Sequence, residues 1–390
     1  MSSIPFIDCI DIVGTSVHDY EGSKLYISTG AVNTNKIDYN QVEEVTYQNR
    51  PSRANLVVQE GDVIFAKMQA TNKTIYINKK LSRYIFSTGF FAVRAREGVI
   101  TPSCLYLLLS SEQFLSQKDK YCSGATQKAI TNSGLKKISI SIPDISIQEK
   151  LSKILLMLQS SIVQHKTMMD KYDELIKSRF VEMFGDPKLN NYHHKIIPFD
   201  LVVEYMGDIG SNGANKVVVE HLDMKDEEDY ALMVRFLNFT NNDFTNNVKY
   251  ISKESYDFFK KSKLFGGELI ICKIGSAGLN YVMPNLNRPV SLGLNQIMVR
   301  LKKEILMPYL YQYLHTEYGE FLISECVNGA VTKSITKTKL KELPLMLPPI
   351  HLQSKYADFV TKVEQQKATV QKSIDKLETL KKSLMQEYFG

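Results

Sequence analysis

The chain states one long pattern twice, with the second statement about 205 residues after the first. Gly61-Asp62-Val63-Ile64-Phe65-Ala66-Lys67 returns as Gly267-Glu268-Leu269-Ile270-Ile271-Cys272-Lys273, Val93-Arg94 as Val299-Arg300, and Pro102 as Pro308. Gly124-Ala125 with Lys128, Ile130-Thr131 and Leu135-Lys136 returns as Gly329-Ala330 with Lys333, Ile335-Thr336 and Leu340-Lys341. Pro143 and Gln148 match Pro348 and Gln353, and Phe184-Gly185 matches Phe389-Gly390. Solenoid repeats run roughly 20 to 50 residues, so a period this long is a duplicated domain. Duplication implies a pseudo-two-fold molecule, which suits a target in two parts.

Each copy begins with a mixed part, residues 1–143 and 196–348. Short β-rich runs at 61–68 and 267–274, and at 90–94 and 296–301, are bounded by Gly, Asn or Ser. Helix-period stretches follow over 103–120 and 308–326, then strand candidates at 137–142 and 342–347 that end at Pro143 and at Pro348-Pro349.

Each copy closes with a long helix, 144–185 and 349–390, and residues 186–195 link the copies. Leu151, Leu155, Leu158, Ile162, His165, Met169, Tyr172 and Ile176 follow alternating steps of four and three, the a/d seam of a coiled coil. The corresponding positions are Tyr356, Val360, Val363, Lys367, Val370, Ile374, Leu377 and Lys381. Gly185-Asp186-Pro187 stops the first helix with a glycine just past its end and a proline after it. About 36–40 residues at ~1.5 Å each give rods of roughly 55–60 Å. Matching seams in one chain predict that the helices pair with each other; two separate dimerisation helices are the alternative. The short linker favours an antiparallel pair with a globular part at either end. The expected fold class is α+β: two tandem α/β globular domains separated by a pair of long antiparallel coiled-coil helices, a pseudo-two-fold internal duplication.

Composition excludes several classes. At 390 residues and 44% hydrophobic content the chain can build two or three real cores. Five cysteines, at 9, 104, 122, 272 and 326, form no CxxC pair and read as reduced thiols of a cytoplasmic protein. Met1-Ser2-Ser3-Ile4-Pro5 does not open a signal peptide, and no apolar run approaches the ~18 residues of a membrane span. No phosphate loop, HExxH motif or nucleophile elbow is present. Neither is an Asn/Asp-Pro-Pro-aromatic tetrapeptide. Pro143-Asp144 with Glu149-Lys150 superficially suggests a nuclease site, but the spacing fits a helix N-terminus with acids in its first turn. His193-His194 reads as a solvated loop, and Gly275-Ser276-Ala277-Gly278 is explained equally well by a hairpin turn or a phosphate cradle. No catalytic or metal-binding residue is assigned.

Charge is more telling than its sum, 48 − 42 = +6. Residues 63–96 hold no acid but carry Lys67, Lys73, Lys79, Lys80, Arg83, Arg94 and Arg96. Residues 249–341 carry 14 Lys and Arg against 7 Asp and Glu, and 326–341 carry four lysines and no acid. An acid cluster, Asp226 to Asp229, stands apart. Gln69, Thr71, Asn72, Thr126, Gln127, Asn328 and Thr332 are interleaved with the cations. Lysines attract phosphate regardless of sequence, whereas Asn, Gln, Arg and Thr read base edges. One such segment would be an ordinary solvated surface; its recurrence in both copies favours nucleic acid.

The order of these elements resembles the specificity subunit of type I restriction–modification systems. The resemblance rests on Ser123-Gly124-Ala125-Thr126-Gln127-Lys128-Ala129-Ile130 through Ile142-Pro143 to Gln148, and on Asn328-Gly329-Ala330-Val331-Thr332-Lys333 through Leu347-Pro348-Pro349 to Gln353. Arg179-Phe180-Val181-Glu182-Met183-Phe184-Gly185-Asp186-Pro187 also looks like the family's usual first-helix ending. The resemblance implies two target recognition domains, each reading half of a bipartite sequence in double-stranded DNA. It implies helices that dock two methyltransferase subunits, and restriction/translocase subunits serving phage defence. It places S-adenosylmethionine, ATP and Mg in those partners, leaving this chain non-catalytic and without a cofactor. Val331 stands where the first copy has Thr126, and Ser334 where Asn is common, so the contacts of the second turn depart from the pattern. Lys367 and Lys381 interrupt the second seam and are expected to face partners.

The candidate DNA contacts in the first domain are Thr29, Lys67, Thr71, Asn72, Lys73, Thr126, Gln127 and Lys128. In the second they are Arg235, Asn238, Lys273, Ser276, Arg288, Thr332 and Lys333. The aligned pairs Lys67/Lys273 and Lys128/Lys333 suit phosphate, and Asn72, Gln127 and Arg235 suit bases. The alternatives are a coiled-coil scaffold presenting two protein-binding modules, or a stand-alone nuclease or modification enzyme.

Overall fold

The computed structural model describes residues 3–329 and 331–390; Met1, Ser2 and Ala330 lie outside the described residues. Internal contacts divide the chain into unit 1, Met1–Thr167 with Val370–Gly390, and unit 2, Met168–Thr369. Each unit takes in half of each long helix.

Unit 1 is built on two four-stranded sheets. One runs in the order Ile10–Val13, Phe90–Ala95, Val63–Ala66, Thr74–Tyr76, all antiparallel. The other runs Glu43–Thr46, Ser23–Ile27, Ile85–Ser87, Ala54–Leu56, with its two central strands parallel. Val63-Ile64-Phe65-Ala66 is apolar throughout because both of its faces are covered. Val63 and Phe65 pack with Leu105, Leu108 and Phe114 on the helical side, while Ile64 and Ala66 pack with Ile27 and Phe86 on the other sheet. Successive side chains of a strand point to opposite faces, so one strand joins two cores. Ser3–Pro5 pairs with Ser139–Ser141 and so closes the module.

The helical stretch expected over 103–120 is two helices, Pro102–Leu109 and Glu112–Lys120. Ser111 breaks it, since its side chain caps the second helix by accepting from the Phe114 N–H. Thr101 caps the first helix in the same way.

Unit 2 repeats this plan. Its sheets run Val203–Gly207, Gln296–Leu301, Leu269–Cys272, Asn280–Val282 and Lys249–Ile251, Ala231–Val234, Val290–Leu292, Lys263–Leu264. Ala231–Val234 and Val290–Leu292 are the parallel pair. Leu269 and Ile271 face Tyr309 and Leu310, while Ile270 faces Leu232 and Leu292. Here too the helical stretch expected over 308–326 is broken, into Met307–Leu314 and Glu317–Glu325, by Thr316 capping the Gly319 N–H.

The repeated charged pairs prove to be struts of the fold. Asp62 is 1% exposed and takes a 2.7 Å ion pair from Arg94, and Glu268 is its counterpart with Arg300 at 3.4 Å. Residues that look basic in the sequence, Arg94 and Arg300, are therefore committed to partly buried pairs.

The long helices are Ile145–Phe184 and Ile350–Phe389, 40 residues each. At ~1.5 Å per residue each is about 60 Å long. All sixteen seam residues are buried or half-buried. The helices pair antiparallel within each unit. In unit 1 Gln159 meets Lys381 and Lys166 meets Glu378; in unit 2 Asp173 meets Lys367 and the Ile176 carbonyl meets the Tyr356 hydroxyl. Lys367 and Lys381 thus reach across to the first helix rather than outward to a partner, because a long lysine stem can lie in a seam while its ammonium finds an acceptor at the edge. Phe184 packs against Tyr309 and Tyr356 in unit 2 at ring distances of 4.8 and 5.4 Å, and Phe389 enters the core of unit 1. Gly185, at φ +78°, ends the first helix. Among the described residues no helix is long and apolar enough to cross a membrane.

Candidate nucleic-acid interface

In unit 1 the strand Val63–Ala66 exits at Lys67, and a turn from far along the chain returns to meet it. Ile130 donates its N–H to the Lys67 carbonyl at 2.9 Å, and Gln69 donates to the Lys128 carbonyl at 3.0 Å. Ser123 and Ala129 bond each other reciprocally. Gly124 makes the turn possible: at φ +134°, a Cβ there would lie 2.5 Å from the Gln127 carbonyl oxygen. The turn holds Thr126, Gln127 and Lys128 exposed beside the segment 67–73.

Lys67 is half-buried, with Nζ donating to the Thr88 carbonyl at 2.8 Å and lying 4.6 Å from the centre of the Phe91 ring. Burial pulls its pKa down from the usual lysine value. Lys73 Nζ donates to the Thr29 carbonyl at 2.8 Å, and Thr71 Oγ1 to the Met68 carbonyl at 2.6 Å. Asn72 is exposed. All eight residues singled out in the first domain therefore share one neighbourhood. Among the described residues neither Lys67 nor Lys73 pairs with a carboxylate. Lys118, 1% exposed, braces the same loop through the Met68 carbonyl; nothing in a helical lysine's local sequence announces that role.

Unit 2 builds the same junction. Ile335 donates to the Lys273 carbonyl at 2.9 Å, Gly275 to the Lys333 carbonyl at 3.1 Å, and Val327–Asn328 pairs with Ser334–Ile335. Gly329, at φ +101°, leaves no room for a Cβ, which would fall 2.2 Å from the Thr332 carbonyl oxygen. Thr332, Lys333 and Ser276 are exposed there, and Val331 is 98% exposed. Gly275 to Gly278 is the hairpin turn between Leu269–Cys272 and Asn280–Val282.

The electrostatics differ. Lys273 Nζ lies 2.7 Å from one Asp208 carboxylate oxygen, and Lys337 Nζ lies 3.0 Å from the other and 3.2 Å from Ser211 Oγ. Burial opposes ionisation of Asp208, whose side chain is 8% exposed, but the two lysines more than offset it and the carboxyl falls to about 2. Lys273 thus shares a single carboxylate with Lys337, which offsets one of their two charges. Asp208 and Lys337 escaped the sequence reading, since 65 residues separate Asp208 from Lys273.

Two candidates are placed elsewhere. Asn238 is 2% exposed, accepting from the Arg235 N–H at 2.8 Å and donating to the Asp243 carbonyl at 3.1 Å, so its amide is used internally. Arg288 precedes the strand Val290–Leu292 while Arg235 follows the parallel strand Ala231–Val234, which sets them at opposite ends of that pair. Arg288 turns to the acid cluster, 3.4 Å from Glu228. Arg235 stays at the junction end, with its guanidinium on the Asn247 carbonyl. Among the described residues no group of three or more His, Cys, Asp or Glu could hold a metal ion.

The family model for the type I restriction modification DNA specificity domain matches residues 15–168 and, a second time, 203–379. The chain belongs to that family. Each match covers one mixed α/β module with its closing turn, so the specificity-domain pattern is present twice. Among curated proteins the chain is similar to the type I restriction enzyme HindI specificity subunit of Haemophilus influenzae, 24% identical over 166 residues, which are 42% of this chain and 36% of that protein. It is also similar to the putative type I restriction enzyme MjaX specificity subunit of Methanocaldococcus jannaschii, 26% identical over 148 residues, 36% of this chain and 34% of that one. The chain thus aligns with about a third of the length of these relatives. The solved S subunit of a type I restriction–modification system from M. genitalium shares the fold at TM-score 0.60 and 13% identity, over 100% of this chain and 96% of that one. A chain from a study of complex assembly and conformational transition in a type I system does so at TM-score 0.56 and 18% identity, over 99% and 97%.

Proposed function

We propose that this specificity-domain chain is the DNA-recognising subunit of a type I restriction–modification complex, with each unit reading one half of a bipartite duplex target. The observation that carries this reading is the junction built twice, a lysine-ended strand locked to a glycine-made polar turn, in the two segments that match the specificity-domain model. The exposed amides, hydroxyls and lysines at each junction supply base-edge and phosphate contacts together.

The chain directs chemistry without performing it. Methyltransferase subunits, two per chain, bind S-adenosylmethionine and transfer the methyl group; restriction/translocase subunits use ATP and Mg. The assembly works in the cytoplasm. The first long helix supports such docking. Ile147 and Ile154 are exposed on its unit 1 part, and Met168 and Leu175 on its unit 2 part, each pair seven residues apart and outside the seam that pairs the helices. An apolar stripe left over after pairing suits another protein.

A salt titration of binding to duplex DNA tests the reading. Phosphate contacts give a log–log slope of roughly −0.9 per contact, so a slope of several units is expected. Salt-independent binding, or none, would favour the protein-binding scaffold. Methyl transfer by the purified chain alone would favour a stand-alone enzyme.

A further inference from the structure

Asn238 is buried because it braces a loop, and the loop it braces carries an unusual load of amides. Residues 240–247 read Thr-Asn-Asn-Asp-Phe-Thr-Asn-Asn. Asn238 holds the base through Arg235 and Asp243, and Asp243 returns a 2.9 Å N–H bond to the Asn238 carbonyl. The Asp243 carboxylate is filled from inside: one oxygen accepts from the Thr245 and Asn246 N–H groups, each at 2.9 Å, and from Thr245 Oγ1 at 2.8 Å, and the other accepts from Asn246 Nδ2 at 3.0 Å. Arg235 fastens the far end at the Asn247 carbonyl. The loop's single acid is therefore satisfied within it. Asn241, Asn242 and Asn247 are exposed, and among the described residues their side-chain amides have no hydrogen-bond partner.

The loop also stands in the right place. It leaves the end of Ala231–Val234, where a Cβ at Gly293 would lie only 2.3 Å from the Val234 carbonyl oxygen. Two residues on, Asn295 accepts the backbone N–H of Lys273 at 2.7 Å. The amide loop thus rises beside the lysine junction. Unit 1 has a different structure at the equivalent place. After Ser23–Ile27 comes a small hairpin, Val32–Asn33 with Lys36–Ile37, exposing Asn33, Thr34 and Lys36 and tied to the Thr74 N–H through the Thr34 carbonyl at 2.8 Å. The scaffold is duplicated, and the polar insert at this one position is not.

Resting on the reading of each unit as a DNA-recognition module, we propose that this insert is the sequence-reading element: the Asn241 and Asn242 carboxamides in unit 2, and the Asn33 hairpin in unit 1. A carboxamide offers one donor and one acceptor side by side, the complement of adenine N7 and N6 in the major groove. A loop already held by internal bonds makes such contacts with little ordering cost. The junction lysines then supply attraction, and the insert supplies the larger share of the discrimination.

The experiment is to sequence the duplexes that the full chain retains from a randomised library. Wild type is compared with Asn241→Ala/Asn242→Gly, in which glycine keeps the φ of +47° at position 242. The double variant should lose roughly 5- to 150-fold preference at one or two positions of a single half-site, with the other half-site, the salt slope and the melting temperature unchanged. Asn33→Ala should relax the opposite half-site. Unchanged preferences in the double variant, or a uniform fall in affinity with the base pattern intact, would overturn the proposal. A wild-type chain that selects no sequence would instead overturn the DNA-recognition reading, and the proposal with it.

Discussion

In unit 1 the Gln148 amide accepts from the Thr101 N–H at 2.8 Å and donates to the Val99 and Pro143 carbonyls at 3.0 and 2.9 Å. In unit 2 Gln353 makes the same three bonds, to the Leu306 N–H and the Glu304 and Pro348 carbonyls, at 2.9, 3.2 and 2.9 Å. Both amides are fully buried. At the polar junctions the copies part company. Lys67 rests on a carbonyl and keeps its charge uncompensated, whereas Lys273 shares Asp208 with Lys337. The two copies keep in common the bonds on which folding depends and differ in the groups proposed to meet a target. Unit 1 should thus rely more on non-specific phosphate attraction, and unit 2 should be the more discriminating partner.

The largest effects test the part the units share. Gln148→Ala or Gln353→Ala orphans one N–H and two carbonyls, each worth about 1–3 kcal/mol when buried. Urea unfolding should show a loss of roughly 3–5 kcal/mol for either variant; a cost confined to one of them would break the equivalence of the scaffolds. Asp208 separates the units next. Its carboxyl is depressed from 3.8 to about 2. A depressed carboxyl adds stability that is complete above pH ~4 and lost as pH falls through ~2, here roughly 2 kcal/mol. Unit 2 should loosen to proteolysis in that window before unit 1, and Asp208→Asn should abolish the difference. At neutral pH the same variant removes the one charge that offsets Lys273 and Lys337 and should steepen the salt slope by about one unit. The smallest effects concern the closing turns. Lys128→Ala and Lys333→Ala should each flatten the salt slope by about one unit while leaving base preferences intact. Gln127→Ala, by contrast, should relax one position of unit 1's half-site by about 1–3 kcal/mol.

The scaffold was legible because buried apolar strands, helix seams and φ-restricted glycines leave periodic or paired marks in a sequence. The breaks at Ser111 and Thr316 were not, since a single capping hydroxyl is a weak signal within an otherwise helical stretch. The candidate interface was half legible. Matching the two copies pointed to Lys67, Lys128, Lys273 and Lys333, yet it could not reveal that Asp208 holds one of them. Asn238 stands among the candidate DNA contacts by residue type alone, and only packing shows that it supports its neighbours. The amide loop 240–247 escaped notice because it has no counterpart in the first copy, and matching copies finds what they share.

Two copies of one module are proposed to read two halves of one DNA sequence. The most direct measurement is a map of methylated positions in DNA from a host expressing this chain with a methyltransferase partner, compared with a host lacking the chain. Methylation confined to two short defined blocks separated by a fixed gap of unconstrained bases is the predicted result. A single continuous motif, or a methylation pattern that does not depend on the chain, would contradict it.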